Sequence, residues 1–184
     1  MVGALTVKQT TPIELLLELE LQAKTHASPL PQKVDIKKTW QGLGFRIGAV
    51  NLIAPLEQVS EILTEVQLTE IPGVQSWVKG IANVRGNLLP VIDLAGLIGG
   101  TTAIMSSRSR IIVAHHLGMS AGLVVDEVLG LRSFFVEDFS TKHAIENEQI
   151  AQFVSGSYQQ HGQQWPVFDF QAVIEYPGFK QVAA

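Results

Sequence analysis

The sequence predicts a mostly β fold: two small β-barrel subdomains related by an internal repeat, with short helices and an N-terminal helical extension. Three observations support this prediction. Apolar runs are short and alternate with polar residues, 16 glycines punctuate them, and one stretch of the chain recurs without gaps. Short strands separated by glycine turns favour small barrels over a parallel α/β sheet.

The composition limits the class of protein. Hydrophobic residues make up 46% of the 184 residues, whereas the 13 basic and 17 acidic side chains, 30 in total, make up only 16%. An average soluble domain carries about 25% charged residues. The chain can therefore form a substantial core, and we expect part of its apolar surface to contact partners. The net charge of −4 and a pI near 5.7 argue against nucleic-acid binding.

Several kinds of site are disfavoured by the residues present. Cysteine is absent, which excludes disulfides, cysteine zinc sites and thiol nucleophiles, and suits a reducing cytoplasm. The five histidines lack the spacing of a helical metal site, and no phosphate-binding loop or serine-nucleophile motif occurs. The stretch 88–105 lacks Lys and Arg, but Asp93 and Pro90 argue against a membrane span. We therefore expect no enzyme, no metal or cofactor, and no direct membrane insertion.

Residues 1–38 form an extension ahead of the main body. Thr11, Pro12 and Glu14 have the pattern of a helix start with a capping box. The leucines that follow predict a helix over residues 12–24, although their alternation with glutamate also fits a strand. A proline-containing linker follows at residues 28–32. We expect this helix to pack on the barrels or to be mobile; the alternative is that it binds a dedicated partner.

The main body, residues 39–178, begins with alternating runs that predict hairpins. Residues 40–47 lead through a short turn at Gly48-Ala49 into the apolar run 50–59. Residues 110–115 and 121–125 predict a second hairpin around the turn at 117–120.

The internal repeat relates residues 78–98 to residues 154–174 at a spacing of 76, without gaps over 21 positions. Each copy is typical of a hairpin with glycine at its turn, followed by Pro-Val-apolar-Asp. A weaker similarity relates residues 59–62 to residues 128–131 at a spacing of 69. The repeat divides the body into a first half, 39–100, and a second half, 108–178, with the join near residues 101–109 and strand exchange between the halves possible.

Both copies carry a proline and an aspartate at matching positions. We expect Pro90 and Pro166 at a strand start or a sheet edge, since proline cannot donate a ladder hydrogen bond. We expect Asp93 and Asp169 to be structural, because both halves retain them: they either point out of a half-buried strand or cap the short helix that follows.

The hairpin turns of the two copies differ, and a function added to one half should appear there. Asn83 and Arg85 stand where the second copy has Gln159 and His161. Arg85 precedes Gly86 at the predicted tip, where a side chain projects from a rigid scaffold. An ordinary surface arginine would show the same pattern, so the residues alone leave the role of Arg85 open.

Residues 77–94, WVKGIANVRGNLLPVIDL, closely resemble the signature of CheW-type coupling proteins, and the segments 59–62 and 122–128 fit the same family. The resemblance covers about residues 40–176. It implies two SH3-like five-stranded β-barrels and a non-catalytic adaptor without a cofactor. Such proteins bridge the regulatory domain of a CheA-type histidine kinase and the cytoplasmic tip of a chemoreceptor. One barrel docks on the kinase, and a groove between the barrels holds the receptor tip.

The resemblance also implies roles for individual residues. The positions that correspond to partner contacts are Val59, Glu61, Asn83 and Arg85, and those implied to shape the loop are Gly80 and Gly86. Arg85 is expected to bind a carboxylate on its own chain or on a partner, and Glu61 is one candidate.

The wider biological setting is also an expectation. The N-terminal extension resembles that of the pilus-linked, PilI-like branch, so the output would be chemotaxis or pilus-based twitching motility. We expect a cytoplasmic protein recruited to membrane-bound receptor arrays. The alternative is a stand-alone SH3-like module that binds a peptide or small ligand without a kinase.

Overall fold

A computed structural model describes residues 11–26, 37–99, 105–142 and 144–183. The chain divides into two compact units, residues 1–36 and 37–184, and each is described by itself. The predicted linker at 28–32 and part of the predicted join, 101–104, lie outside the described residues. Among the helices of the described ranges, none is long and apolar enough to cross a bilayer.

The N-terminal extension contains helix α1 (Pro12–His26). Its predicted capping box is confirmed, since the Thr11 amide donates to Glu14 Oε2 at 2.9 Å and the Glu14 amide donates to Thr11 Oγ1 at 3.4 Å. The strand alternative is wrong: proline at the first helical position and a run of good helix formers favour the helix. The apolar side chains from Ile13 to Leu21 are exposed.

The second unit contains two six-stranded sheets. The first sheet, which we call barrel 1, has the strand order β3-β7-β8-β6-β5-β4. Its strands are β3 (Val59–Leu63), β4 (Leu68–Thr69), β5 (Val78–Val84), β6 (Asn87–Asp93), β7 (Arg110–His116) and β8 (Met119–Val125). The second sheet, barrel 2, has the order β10-β11-β12-β2-β1-β9. Its strands are β1 (Thr39–Ile47), β2 (Val50–Pro55), β9 (Glu127–Phe135), β10 (Phe139–Ser140), β11 (Val154–Gln160) and β12 (Gln163–Phe168).

Each sheet therefore has five longer strands and one two-residue strand, β4 or β10, which accounts for the difference from the five strands expected. The mostly β prediction is confirmed. Within its described residues this unit also contains four short α-helices: α2 (Leu94–Gly99), α3 (Glu148–Ala151), α4 (Phe170–Glu175) and α5 (Pro177–Lys180).

Strands are exchanged between the two halves of the chain. The first hairpin, β1–β2, lies in barrel 2, where β1 pairs with β9 and β2 pairs with β12. The hairpin β7–β8 completes barrel 1. The chain passes from one sheet to the other at a 3₁₀ turn that contains the buried Gln58. Its amide nitrogen donates to Asp169 Oδ1 at 3.0 Å and its oxygen accepts from the Phe170 amide at 2.9 Å, so this side chain ties the crossing to barrel 2.

The internal repeat of the sequence corresponds to a repeated structural unit. Hairpins β5–β6 and β11–β12 have the same register, including a bulge between Val78 and Gly80 in one and between Val154 and Gly156 in the other. In both hairpins the second strand also forms a parallel pair with a strand of the exchanged hairpin. The two barrels are thus two copies of one arrangement.

The prolines of the repeat lie inside strands, which corrects the expectation of a strand start or edge. Pro90 pairs with Ile81 on one side, but the parallel pairing with β8 begins only at Val91. Pro166 is placed in the same way, because the pairing of β12 with β2 is at Val167. Each proline therefore occupies a point where one flank of an inner strand has no ladder partner, so its missing N–H costs no hydrogen bond.

Of the two structural roles expected for the aspartates of the repeat, the helix cap is the one observed. Asp93 Oδ1 accepts from the Gly96 amide at 3.1 Å at the start of α2. Asp169 Oδ1 accepts from the amides of Gln171 and Ala172 at the start of α4. Asp93 is fully buried and lies 3.3 Å from Lys79 Nζ, which supplies the opposite charge.

The largest hydrophobic cluster lies between the two sheets and takes residues from both. Its members include Leu43, Phe45, Leu94, Ile112, Phe168 and Phe170. Smaller clusters fill barrel 2, around Trp165, and barrel 1, around Val91. Because the shared cluster is the largest, we expect the barrels to unfold together. Exposed apolar side chains remain on both barrels, as the low charge predicted.

Candidate partner-binding surfaces

Arg85 and Gly86 form the two-residue turn between β5 and β6. Both have positive φ, 52° and 87°, as a type I′ hairpin turn requires. Asn83 Oδ1 accepts from the Gly86 amide at 2.9 Å and fixes the turn. The corresponding turn of barrel 2 has φ values of 50° and 75° at His161 and Gly162. The backbone of Arg85 thus reflects a turn type that both copies share, and at this position the copies differ only in the side chain, arginine against histidine.

The structure brings Glu61 and Arg85 together, although 24 residues separate them in sequence. Glu61 lies on β3, and Arg85 Nη2 donates to its Oε1 at 2.6 Å. The Arg85 side chain is 79% exposed and that of Glu61 is 30% exposed. An ion pair this accessible contributes about 0.2–1 kcal/mol to stability. Its main effect is therefore to orient the arginine and leave the other guanidinium nitrogens open to solvent.

The ion pair stands at the rim of a cleft of about 390 Å³, which we call the barrel-1 cleft. Its lining residues are Glu61, Val84, Arg85, Asn87, Leu88, Leu89, Val113, Gly118 and Ser120. Leu88 is 74% exposed, and Leu117, next to Gly118 in the β7–β8 turn, is 78% exposed. Apolar side chains beside an oriented arginine form the combination found at the centre of protein interfaces.

The other residues expected to act here occupy different places. Val59 is half-buried, pairs with Ala114 and packs against the shared core. Gly80 lies outside the loop, at the bulge of β5. Its φ is 130°, and a Cβ there would lie 2.4 Å from the carbonyl oxygen of Thr69, so glycine is required for β4 to approach. Gly86 alone of the two glycines belongs to the turn.

A second concave surface, which we call the inter-barrel groove, is lined by residues that the sequence analysis did not single out. It has a volume of about 360 Å³ and is lined by Ile47, Gly48, Ala49, Val50, Ala95, Ile98, Gly99, Asp126, Asn147 and Ile150. The β1–β2 turn of barrel 2 forms one wall and α2 of barrel 1 forms another. The groove is largely apolar, which suits a helical segment.

Charged side chains fix the β1–β2 turn beside this groove. The Gly48 amide donates to Asp126 Oδ2 at 2.5 Å. Arg46 donates to the Gly48 carbonyl at 2.9 Å and lies 3.2 Å from Glu127 Oε2. The adjacent acids at 126–127 and the isolated Arg46 are the signal in the sequence that could have indicated this contact.

The histidines and acids do not form a metal centre in the part of the chain that is described, where no group of three or more potential ligands occurs. His115 bonds Ser120 at 2.9 Å, whereas His116 bonds Glu175 on α4 at 2.7 Å. The two histidines therefore make separate structural contacts, as their neighbouring positions on one strand predict.

Comparison with known proteins agrees with this architecture. The family model described as CheW-like domain matches residues 41–177. Protein PilI of Pseudomonas aeruginosa is 38% identical over 173 residues, which cover 94% of this chain and 97% of PilI. Protein FrzA of Myxococcus xanthus is 38% identical over 94 residues, 51% of this chain and 59% of FrzA.

A solved structure extends the likeness to the fold. The scaffolding protein TtCheW from Thermoanaerobacter tengcongensis superimposes with a TM-score of 0.67 and 25% sequence identity, covering 77% of this chain and 96% of TtCheW. The family match rests on the two-sheet body, whereas the match to PilI also includes α1, since it omits at most 11 of the 184 residues. The chain belongs to the family of CheW-like domain proteins.

Proposed function

We propose that this chain is a non-catalytic adaptor that couples chemoreceptors to a CheA-type histidine kinase in chemotaxis or pilus-based motility signalling. The observation that carries the proposal is the barrel-1 cleft, where the Glu61–Arg85 pair borders exposed leucines on a CheW-like fold. The similarity to PilI over almost the whole chain favours the pilus-linked output. The adaptor would act in the cytoplasm at membrane-bound receptor arrays.

The kinase contact is assigned to the barrel-1 cleft for physical reasons. Leu88 and Leu117 expose apolar area that a partner would cover, and burial of such area is the main driving force of association. Arg85 is held by one bond to Glu61 and keeps further donors for a carboxylate or carbonyl of the partner. A positioned arginine among apolar side chains is a common source of binding energy at interfaces.

The decisive test is binding to the regulatory domain of a CheA-type kinase. Arg85→Glu should weaken binding by about tenfold or more, because an arginine that anchors an interface contributes about 2 kcal/mol or more and about 1.4 kcal/mol already corresponds to tenfold. Its melting temperature should stay near that of the parent protein, since the exposed ion pair contributes little stability. Arg108→Glu is the matched control: it makes the same change at another exposed arginine and should bind normally.

A charge swap separates a partner contact from a purely internal one. Glu61→Arg combined with Arg85→Glu can re-form an ion pair within the chain. If Arg85 contacts the kinase, the double variant should still bind weakly. Full recovery of binding would mean that the pair only shapes the loop, and would remove Arg85 from the interface.

The receptor contact is assigned to the inter-barrel groove. A chemoreceptor tip of the kind that the adaptor role requires is a helical hairpin, and this groove offers an apolar floor between the two barrels. Ala49 is exposed at its mouth. Ala49→Glu should therefore reduce binding to a receptor cytoplasmic fragment and leave kinase binding unchanged.

These measurements also discriminate against the other candidate function. A correctly folded sample that binds neither the kinase domain nor the receptor fragment would favour a stand-alone SH3-like module. Loss of kinase binding on removal of residues 1–38 would show instead that the extension, and not only the barrels, takes part in coupling.

A further inference from the structure

Barrel 2 carries a charged residue where its repeat partner in barrel 1 is aliphatic. Arg132 on β9 matches Leu63 on β3 at the spacing of 69, and Leu63 packs against the core of barrel 1. The guanidinium carbon of Arg132 lies 4.1 Å from the ring centroid of Trp165. Trp165 is only 2% exposed and belongs to the core of barrel 2. A cation thus covers one end of this small core.

In the part of the chain that the structure describes, no acid accompanies this cation. Within the described residues, the side chain of Arg132 forms no hydrogen bond or ion pair, and its Nε is buried without a partner. The position that corresponds to Glu61 in barrel 1 is Gly130. A Cβ at Gly130, two residues before Arg132 on β9, would meet nothing within 4 Å, so the space on that side is open. In barrel 1 Glu61 pairs with Arg85, whereas in the described part of barrel 2 the Arg132 side chain has no acidic partner.

Stacking on Trp165 positions the Arg132 guanidinium to bind an anion. Contact with the indole fixes the guanidinium plane and removes water from one face, while the nitrogens at its edge keep their donor geometry. Such a guanidinium loses little conformational freedom on binding and matches the two oxygens of a carboxylate. If Arg132 only covered the core, an aliphatic residue such as the Leu63 of barrel 1 would fill the position without an unpartnered donor.

We propose that Arg132 is a recognition point for an acidic side chain of a peptide segment on a protein partner that docks on barrel 2. The positive charge of Arg132 favours an acidic side chain as its partner, and this side chain can approach through the open space at Gly130. The proposal does not depend on which partner occupies the barrel-1 cleft.

The test uses the full chain, labelled with ¹⁵N, and two small probes. N-acetyl-glutamate amide supplies the carboxylate, and N-acetyl-glutamine amide is its neutral isostere; both are titrated at constant ionic strength. The Arg132 guanidinium and Trp165 indole N–H signals should shift in a saturable way with the glutamate probe only. Arg132→Leu should weaken binding by about tenfold or more, whereas Arg108→Leu, the same change at an exposed arginine, should leave it unchanged.

Three outcomes would overturn the proposal. Equal shifts with both probes would show that the charge is not recognised. Tighter binding of inorganic phosphate than of the glutamate probe would assign the site to a free anion. A melting temperature of Arg132→Leu far below that of the parent chain would make the stack structural, because the leucine found in barrel 1 should otherwise be tolerated.

Discussion

The two aspartates of the repeat permit a matched test of how a buried charge contributes to stability. Asparagine caps helices about as well as aspartate, so Asp→Asn keeps the cap and removes only the charge. Asp93 is fully buried, and Lys79, whose side chain is 19% exposed, lies 3.3 Å away. Asp169 makes hydrogen bonds to amides and to Gln58, and forms no ion pair within the described residues.

The expected magnitudes follow from burial. Breaking a fully buried ion pair costs about 3–5 kcal/mol, and breaking an exposed pair costs about 0.2–1 kcal/mol. Because Lys79 reaches solvent, we expect Asp93→Asn to lower the free energy of unfolding by about 2 kcal/mol. Asp169→Asn should lower it by less than about 1 kcal/mol. For a chain of this size, the melting temperature of Asp93→Asn should fall by about 4–8 °C.

Denaturant unfolding of the two variants, with thermal melts alongside, provides the measurement. Lys79→Met and the double variant Lys79→Met/Asp93→Asn complete a double-mutant cycle, in which the coupling energy should be about 1–2 kcal/mol. Equal losses in Asp93→Asn and Asp169→Asn, or a coupling energy near zero, would refute the view that Lys79 and the buried Asp93 stabilise each other.

Three further predictions concern backbone strain and titration. Gly80→Ala should lower the free energy of unfolding by well over about 2 kcal/mol, because its Cβ would clash with β4. Gly86→Ala should lower it by only about 1–2 kcal/mol, since positive φ is its sole penalty. Denaturant midpoints would measure both losses, and equal values would contradict this reasoning. Burial raises the pKa of Tyr158 above its ordinary value near 10, so the folded state retains this proton longer and stability should fall as pH rises past 10. Absorbance titration of the parent protein and of Tyr158→Phe would measure the pKa of Tyr158, and an unshifted pKa would contradict the prediction. Hydrogen bonds from the amide and hydroxyl of Thr11 hold the pKa of Glu14 below 4.5, so the capping contribution is present above that pH and is lost as pH falls through the lowered value. Carbon NMR should detect the shift, and Thr11→Ala should reduce it without abolishing it, because alanine keeps the amide and loses only the hydroxyl.

Features that depend on neighbouring residues were predictable from the sequence. The capping box at Thr11 and Glu14, the hairpin turn at Arg85 and the helix cap at Asp169 each involve groups within three residues of one another. Their geometry is set by local backbone conformation, which side-chain type controls directly. The repeat was also visible, because the same hairpin register imposes the same residue pattern twice.

Features that depend on distant parts of the chain were not predictable. Pro90 lies within an inner strand because the parallel partner of β6 starts one residue later, and the position of that partner depends on β8. Gly80 is required by the approach of β4 and not by its own loop. The contact between Glu61 and Arg85 could be named as one candidate, but only the closure of barrel 1 brings the two together.

The sequence by itself determined the number of repeated units, their turns and caps, and the family to which the chain belongs, since each is written in short-range residue patterns. The tertiary structure alone decided which strands exchange between the barrels, where the inter-barrel groove lies, and that Arg132 rests on Trp165 without an acid. The physical reason is that these contacts join residues far apart in the chain, and the packing of two sheets around one shared core determines which of them meet.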